Sequence, residues 1–190
     1  FMKFGVSAWS AQKLLFSKKI SLRRFIGFCE EKGVDGIELL DCFWTDEETL
    51  LEIKKYLDEI KIPVSCYSIG NDFVQKKLED REKQVEYVKK GIDTAVMLQT
   101  ENLRIFSGSS KEGIVYEQGK AWIIDSLKEC ASYAEEKGIT MVLENHGLFA
   151  GKSIQVKEII ETVGSHALKA NIDTGNFLLV GEKPFDAVKN

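Results

Sequence analysis

A short apolar run followed by a longer amphipathic stretch recurs six times along the chain. This alternation restricts the fold more than any other feature. The runs are Lys3–Ala8, Gly36–Leu40, Val64–Ile69, Leu103–Ser107, Thr140–Glu144 and Lys169–Asp173, and they start 28 to 39 residues apart. That interval accommodates one strand and one crossover helix, so the period is architectural even though the units share little sequence.

The intervening stretches carry helical stripes: Leu22, Phe25, Ile26 and Cys29; Leu50, Ile53, Leu57 and Ile60; Val85, Val88, Ile92 and Ala95; Ile124, Leu127, Ala131 and Ala134. Each follows i, i+3, i+4, i+7 spacing closely enough to bury one face and solvate the other. Thr45 with Glu48 three residues later reads as a capping box. Gly33 and Gly138 each follow a Glu-Glu-Lys run and suit the left-handed position that ends a helix. A further helix is expected after Pro184.

Strands alternating with helices demand parallel pairing and right-handed crossovers, with both sheet faces covered and the strands apolar nearly throughout. Two α/β architectures fit: an open doubly wound sheet or a (β/α)8 barrel. No glycine-rich fingerprint follows the first strand, where Ser7-Ala8-Trp9-Ser10 stands. Polar residues gather at the carboxyl end of one strand after another, which favours the barrel. The 190 residues suit a single domain spanning 1–190.

A net charge of −4 and a pI of about 5.4 leave no electrostatic footprint for nucleic acid or an anionic membrane. No run of 18 apolar residues occurs. Cys29, Cys42, Cys66 and Cys130 form no CxxC pair and match no zinc motif, so reduced thiols and a cytoplasmic setting are expected. A small-molecule partner remains, and the sequence leaves open whether the chain forms a homo-oligomer.

The strand ends carry the chemistry. The first ends at Ser7, Trp9 and Ser10; the second carries Glu38 and is followed by Asp41; the third ends at Tyr67, Ser68, Asn71 and Asp72. The fourth carries Arg104, the fifth ends at Glu144-Asn145-His146, and the sixth at Asp173-Thr174-Gly175-Asn176. An ionised Glu144 after an apolar strand core is costly unless paired or metal-bound. Asp173 repeats the arrangement one strand later. Two carboxylates on adjacent strand ends repel each other, and a divalent cation (Mg, Mn, Co or Zn) relieves this. The competing reading makes both structural, bound to Arg104 or to backbone amides.

Leu143-Glu144-Asn145-His146-Gly147 and Asn171-Ile172-Asp173-Thr174-Gly175-Asn176, with Phe4-Gly5-Val6-Ser7 and Gly36-Ile37-Glu38-Leu39, resemble the xylose-isomerase-like barrel superfamily. That group includes sugar isomerases and epimerases, inosose dehydratases and apurinic endonucleases. The resemblance implies a (β/α)8 TIM barrel of which about six units are present, with strands seven and eight expected beyond Asn190. It implies a divalent-metal-dependent isomerase or epimerase of a keto-sugar or related polyol, working by proton transfer through a metal-stabilised enediolate. Glu144 is implied as metal ligand and acid/base group, and Asp173 as ligand. The other two ligands, a His and a Glu, are expected on strands seven and eight, and that Glu would act on the opposite face of the reacting carbon.

Trp9, Glu38, Arg104, His146 and Asn176 are the candidate substrate contacts. For each a plainer role competes: an apolar plug for Trp9, a loop brace for Glu38, a carboxylate partner for Arg104 and a satisfied loop histidine for His146. Asn176 stands where the endonuclease branch has a His, which argues against nuclease work. His166 precedes the sixth strand and is expected at the opposite face. An inosose dehydratase-type lyase and a non-catalytic ligand- or partner-binding barrel are the alternative functions.

Overall fold

A computed structural model of the chain describes residues 2–44 and 46–189. Six strands form one parallel sheet: β1 (Gly5–Ser7), β2 (Gly36–Leu40), β3 (Val64–Ser68), β4 (Asn102–Ile105), β5 (Thr140–Glu144) and β6 (Leu168–Asn171). Helices α1 (Gln12–Phe16), α2 (Leu22–Glu31), α3 (Glu47–Ile60), α4 (Leu78–Met97), α5 (Tyr116–Lys137), α6 (Ser153–Val163), α7 (Thr174–Leu179) and α8 (Pro184–Ala187) follow in chain order.

The strand order is β1-β2-β3-β4-β5-β6, every neighbouring pair parallel. A doubly wound sheet reverses direction at a switch point. This one never does, so its crossovers all lie on one side, as in a barrel wall. The chain therefore has an α/β fold and forms about six units of a TIM barrel.

The strands are not apolar throughout, contrary to the sequence expectation. Apolar Ile37, Leu39, Tyr67, Leu103, Ile105, Met141, Leu143 and Leu168 are buried, and the polar or thiol side chains of Glu38, Cys66, Ser68, Arg104, Glu144 and Asn171 alternate with them, Ser68 and Arg104 being buried too. The cause is coverage. Helices pack over one face only, with α4 on β3 and β4, α5 on β5 and α6 on β6, while the inner face lines a cleft and retains polar side chains.

The helical stripes bury as expected, except at Ile60 in α3, which is half-buried, and in α5. There Ile123, Leu127, Cys130, Ala131 and Ala134 form the buried face, and Ile124 is only half-buried. Ser21 caps α2 by accepting from the Arg24 amide at 3.1 Å. For α3 the cap is Asp46, which accepts from Thr49 N at 2.7 Å; Thr45 lies outside the described residues. Gly33 and Gly138 adopt φ of 67° and 70°, left-handed positions that a Cβ would strain. A short helix, α7, follows β6 directly.

Candidate active site

Two buried asparagines hold the strand ends in place. Asn145 binds the backbone of Asp173 twice: its Nδ2 donates to the carbonyl at 2.8 Å and its Oδ1 accepts from the amide at 2.6 Å. Asn71 does the same to Phe106, with distances of 2.8 and 2.9 Å. Each side chain supplies one rung of sheet pairing beyond the point where strand register ends, at β5–β6 and β3–β4. Sequence reasoning placed both at strand ends but missed this role. The readable signal is an amide side chain directly after apolar strand residues, where burial requires partners.

Within this frame Trp9, Glu38, Arg104, Glu144, His146, Asp173 and Asn176 all line one cleft of about 690 Å3 at the carboxyl ends of the strands. Ser7, Ser10, Asp41, Cys42 and Phe106 complete much of its wall. Asp41 accepts from the Tyr87 hydroxyl and from Gly70 N, tying the β2 end to the β3 end. His166 lies outside the cleft; it is 82% exposed, precedes β6 and approaches Glu135 at 3.4 Å.

Glu144 is the most crowded group. Its Oε2 lies 3.4 Å from Arg104 Nε and 3.4 Å from Asn171 Nδ2; its Oε1 lies 3.3 Å from Asn176 Nδ2 and 3.7 Å from His146 Nδ1. Burial raises its carboxyl pKa above the usual range. Arg104 opposes this, Asp173 adds to it, His146 opposes it and Glu38 adds to it.

Arg104 is 7% exposed, donates from Nη1 to the Ile69 carbonyl at 2.8 Å, and rests 4.0 Å over the Phe106 ring. Its Nε makes no hydrogen bond to any described residue. The His146 ring packs 4.7 Å from the same Phe106. Trp9 is exposed at the rim and sits against Phe16 and Phe43, 6.2 and 6.5 Å between centroids.

Asp173 caps α7. Its Oδ1 accepts from Gly175 N at 2.8 Å and from Asn176 N at 3.1 Å, which orients Asn176 toward Glu144. Both contacts of the structural reading are thus present: Glu144 near an arginine and Asp173 on backbone amides. Among the described residues, no group of three or more His, Cys, Asp and Glu side chains converges on one point. The donors that do share the cleft, Glu144 and Asp173, suit one side of an oxygen-seeking divalent cation. A complete coordination shell takes more donors than these two.

Residues 26–189 match the family model of the xylose isomerase-like TIM barrel. The chain belongs to this family. Solved structures with the same fold include the probable 3-DHS dehydratase AsbF involved in petrobactin synthesis from Bacillus anthracis, at 20% identity and a TM-score of 0.76 over 99% of this chain and 69% of that one. A D-tagatose 3-epimerase-like protein matches at 20% identity and 0.83, over 99% of this chain and 70% of that one. The IOLI protein with a bound zinc atom matches at 19% and 0.82, over 100% of this chain and 68% of that one. No curated protein matches the sequence. At such identities the likeness establishes the fold, and function has to be argued from the site.

Proposed function

We propose that the chain is a divalent-metal-dependent isomerase or epimerase acting on a keto-sugar or related polyol. The observation carrying this reading is Glu144: a half-buried carboxylate, raised in pKa by desolvation, that faces a polar cleft beside Asp173. A carboxylate raised in this way is a stronger base than one in water, which suits removal of a proton next to a carbonyl. Asn171 and Asn176 each donate to one of its oxygens, and the Arg104 guanidinium stands beside them.

In this reading Glu144 and Asp173 hold the metal. The cation would polarise the substrate carbonyl and stabilise the negative charge that builds on its oxygen. Trp9 covers a sugar face at the rim. Glu38, His146 and Asn176 meet hydroxyls, and the Arg104 side chain in the cleft wall faces a substrate oxygen. The metal's identity among Mn, Mg, Co and Zn is left to measurement. Among the described residues no helix is long and apolar enough to cross a membrane, and the four cysteines are free thiols, as in proteins of a reducing compartment.

A lyase reading is favoured by one finding, the dehydratase among the matching structures. The same proton abstraction followed by loss of a β-hydroxyl would give an enone. The test is a panel of free 2-ketohexoses, their phosphates and cyclic keto-polyols, incubated with manganese(II) in D2O. Deuterium entering the carbon next to the carbonyl supports proton transfer. A new epimer identifies the epimerase, and ultraviolet absorbance of an enone identifies the lyase. No exchange into any member, with no metal-dependent rise in melting temperature, refutes the proposal.

A further inference from the structure

Asp41 stands in a wall with a cavity on either side. Inward lies the cleft; outward, over the helix layer, lies a groove of about 580 Å3, and Asp41 lines both. Two donors hold it. Tyr87 comes from α4 and lines the outer groove but not the cleft; its hydroxyl donates to Asp41 Oδ2, and Gly70 N donates to the same oxygen at 3.1 Å. Burial holds the Tyr87 phenol above its usual range and Asp41 adds to that shift, so the hydroxyl stays a donor and the bond runs one way. The oxygen taken from the helix layer is Oδ2. Oδ1 is left on the cleft side, and it makes no hydrogen bond or ion pair with any described residue. The charge around it is negative. Glu38 shares this side of the cleft, and Arg104 is the only Lys or Arg in the lining. After burial, Asp41 is the next influence raising the thiol of Cys42 and the phenol of Tyr67. Such a wall favours a neutral hydroxyl donor over a phosphate.

We propose, resting on the function argued above, that Asp41 is a specificity-determining residue whose Oδ1 accepts a hydroxyl of the sugar at the β2 side of the cleft, and that Tyr87 is the residue positioning it. Asp41 follows β2, four strands from β6 and the Asp173 that follows it, so this contact reads a part of the substrate away from Glu144 and Asp173. With Oδ2 held by donors from α4 and from the β3 end, the carboxylate does not turn freely. Oδ1 therefore meets a hydroxyl at one place along the sugar chain. A freely rotating carboxylate would accept from several hydroxyls and distinguish little between them. An analogue lacking that one hydroxyl would leave the oxygen unpaired inside the occupied cleft, which is how a site of this kind rejects it. Tyr87 touches no substrate in this arrangement and acts only through Asp41.

The experiment measures kcat/KM for deuterium exchange from D2O, with manganese(II), into the 2-ketohexoses and their monodeoxy analogues. Asp41→Asn is isosteric and keeps an oxygen for Tyr87 and Gly70, while turning the cleft-side acceptor into a donor. Tyr87→Phe keeps the ring and removes the positioning bond. Melting curves of both variants are recorded alongside. The unsubstituted protein is expected to prefer the parent sugar over one monodeoxy analogue by at least about 10-fold. In Asp41→Asn that preference falls to within about twofold, because the parent sugar loses and the analogue does not. In Tyr87→Phe it narrows at the same hydroxyl, and preferences at the other hydroxyls are kept in both variants. A purely structural role predicts instead an equal fall for every sugar. That uniform fall overturns the inference, and so does an unchanged preference at every hydroxyl. Should Asp41→Asn melt too low to assay, the same criteria are applied to Tyr87→Phe. An unsubstituted protein that exchanges deuterium into none of the sugars refutes the proposed function itself, and this inference with it.

Discussion

Replacing Asn145 with alanine tests the claim that the buried amide clamps the functional end of β6. Asn145 is 1% exposed and spends both ends of its amide on Asp173. Each neutral hydrogen bond contributes about 0.5–1.5 kcal/mol net, and a buried partner left unsatisfied costs about 1–3 kcal/mol. The Asp173 amide and carbonyl are only half-buried, so water recovers part of the second cost. The expected loss is about 2–4 kcal/mol. Urea unfolding followed by circular dichroism should show a lower midpoint at unchanged slope. For a chain of this size each kcal/mol moves the melting temperature by about 2–4 °C. Asn71→Ala removes the corresponding pair on Phe106 and should cost a similar amount. The two clamps share no partner, so the double variant should be additive within about 0.5 kcal/mol. A loss below about 0.5 kcal/mol for Asn145→Ala would mean that β6 is held by its ladder alone, and the clamp argument would fail.

Other expectations follow from local geometry. Alanine normally stabilises a helix interior relative to glycine by about 1 kcal/mol, but a Cβ at Gly119 in α5 would stand 2.3 Å from Phe149 Cε1. Gly119→Ala should therefore destabilise by about 1–3 kcal/mol, and a stabilised variant in urea unfolding would refute the packing. Iodoacetamide at pH 8 should label exposed Cys42 first by mass spectrometry. Burial pushes the Cys66 thiol up to about 11 and Cys130 up to about 12, so both should lag by orders of magnitude; early Cys130 labelling would contradict its burial. In chelator, the raised Glu144 pKa means that the folded state binds the proton more tightly than the unfolded chain. The associated stability is present below the ordinary glutamate value of about 4.3 and lost as pH rises through the raised one. Glu144→Gln should flatten that part of the pH–stability curve, and an unchanged slope would place its origin elsewhere.

The sequence revealed the period of the fold because each unit buries a complete strand and one helix face, and both leave strong patterns. That Glu144 and Asp173 meet in one cleft was legible for a related reason: both follow apolar strand residues at the carboxyl ends of adjacent strands. The alternation inside the strands was harder to read. Runs such as Val64-Ser65-Cys66-Tyr67-Ser68 are short, and which face meets helices depends on tertiary coverage. Helix α7 was missed because six residues hold too little periodicity, although Asp173 followed by Gly175 and Asn176 carries a cap signal. The Asn71 and Asn145 clamps depend on partners 35 and 28 residues away, and no local pattern encodes those.

The surroundings of Glu144 set burial against the nearby guanidinium. Burial is the largest influence on its carboxyl and raises the pKa; Arg104 and His146 oppose it, while Asp173 and Glu38 add to it. The approach of Arg104 explains this, because Nε stands 3.4 Å from Oε2 without forming a hydrogen bond and Nη1 is spent on the Ile69 carbonyl. Buried pairs stabilise only when geometry is good and the remaining donors are satisfied. This pair meets neither condition. The fold therefore keeps, side by side, a carboxylate that is costly to ionise and a guanidinium edge with an unspent donor. Removing either group alone would leave the charge of the other buried without a partner, at a cost of about 3–5 kcal/mol, so each holds the other in the cleft wall.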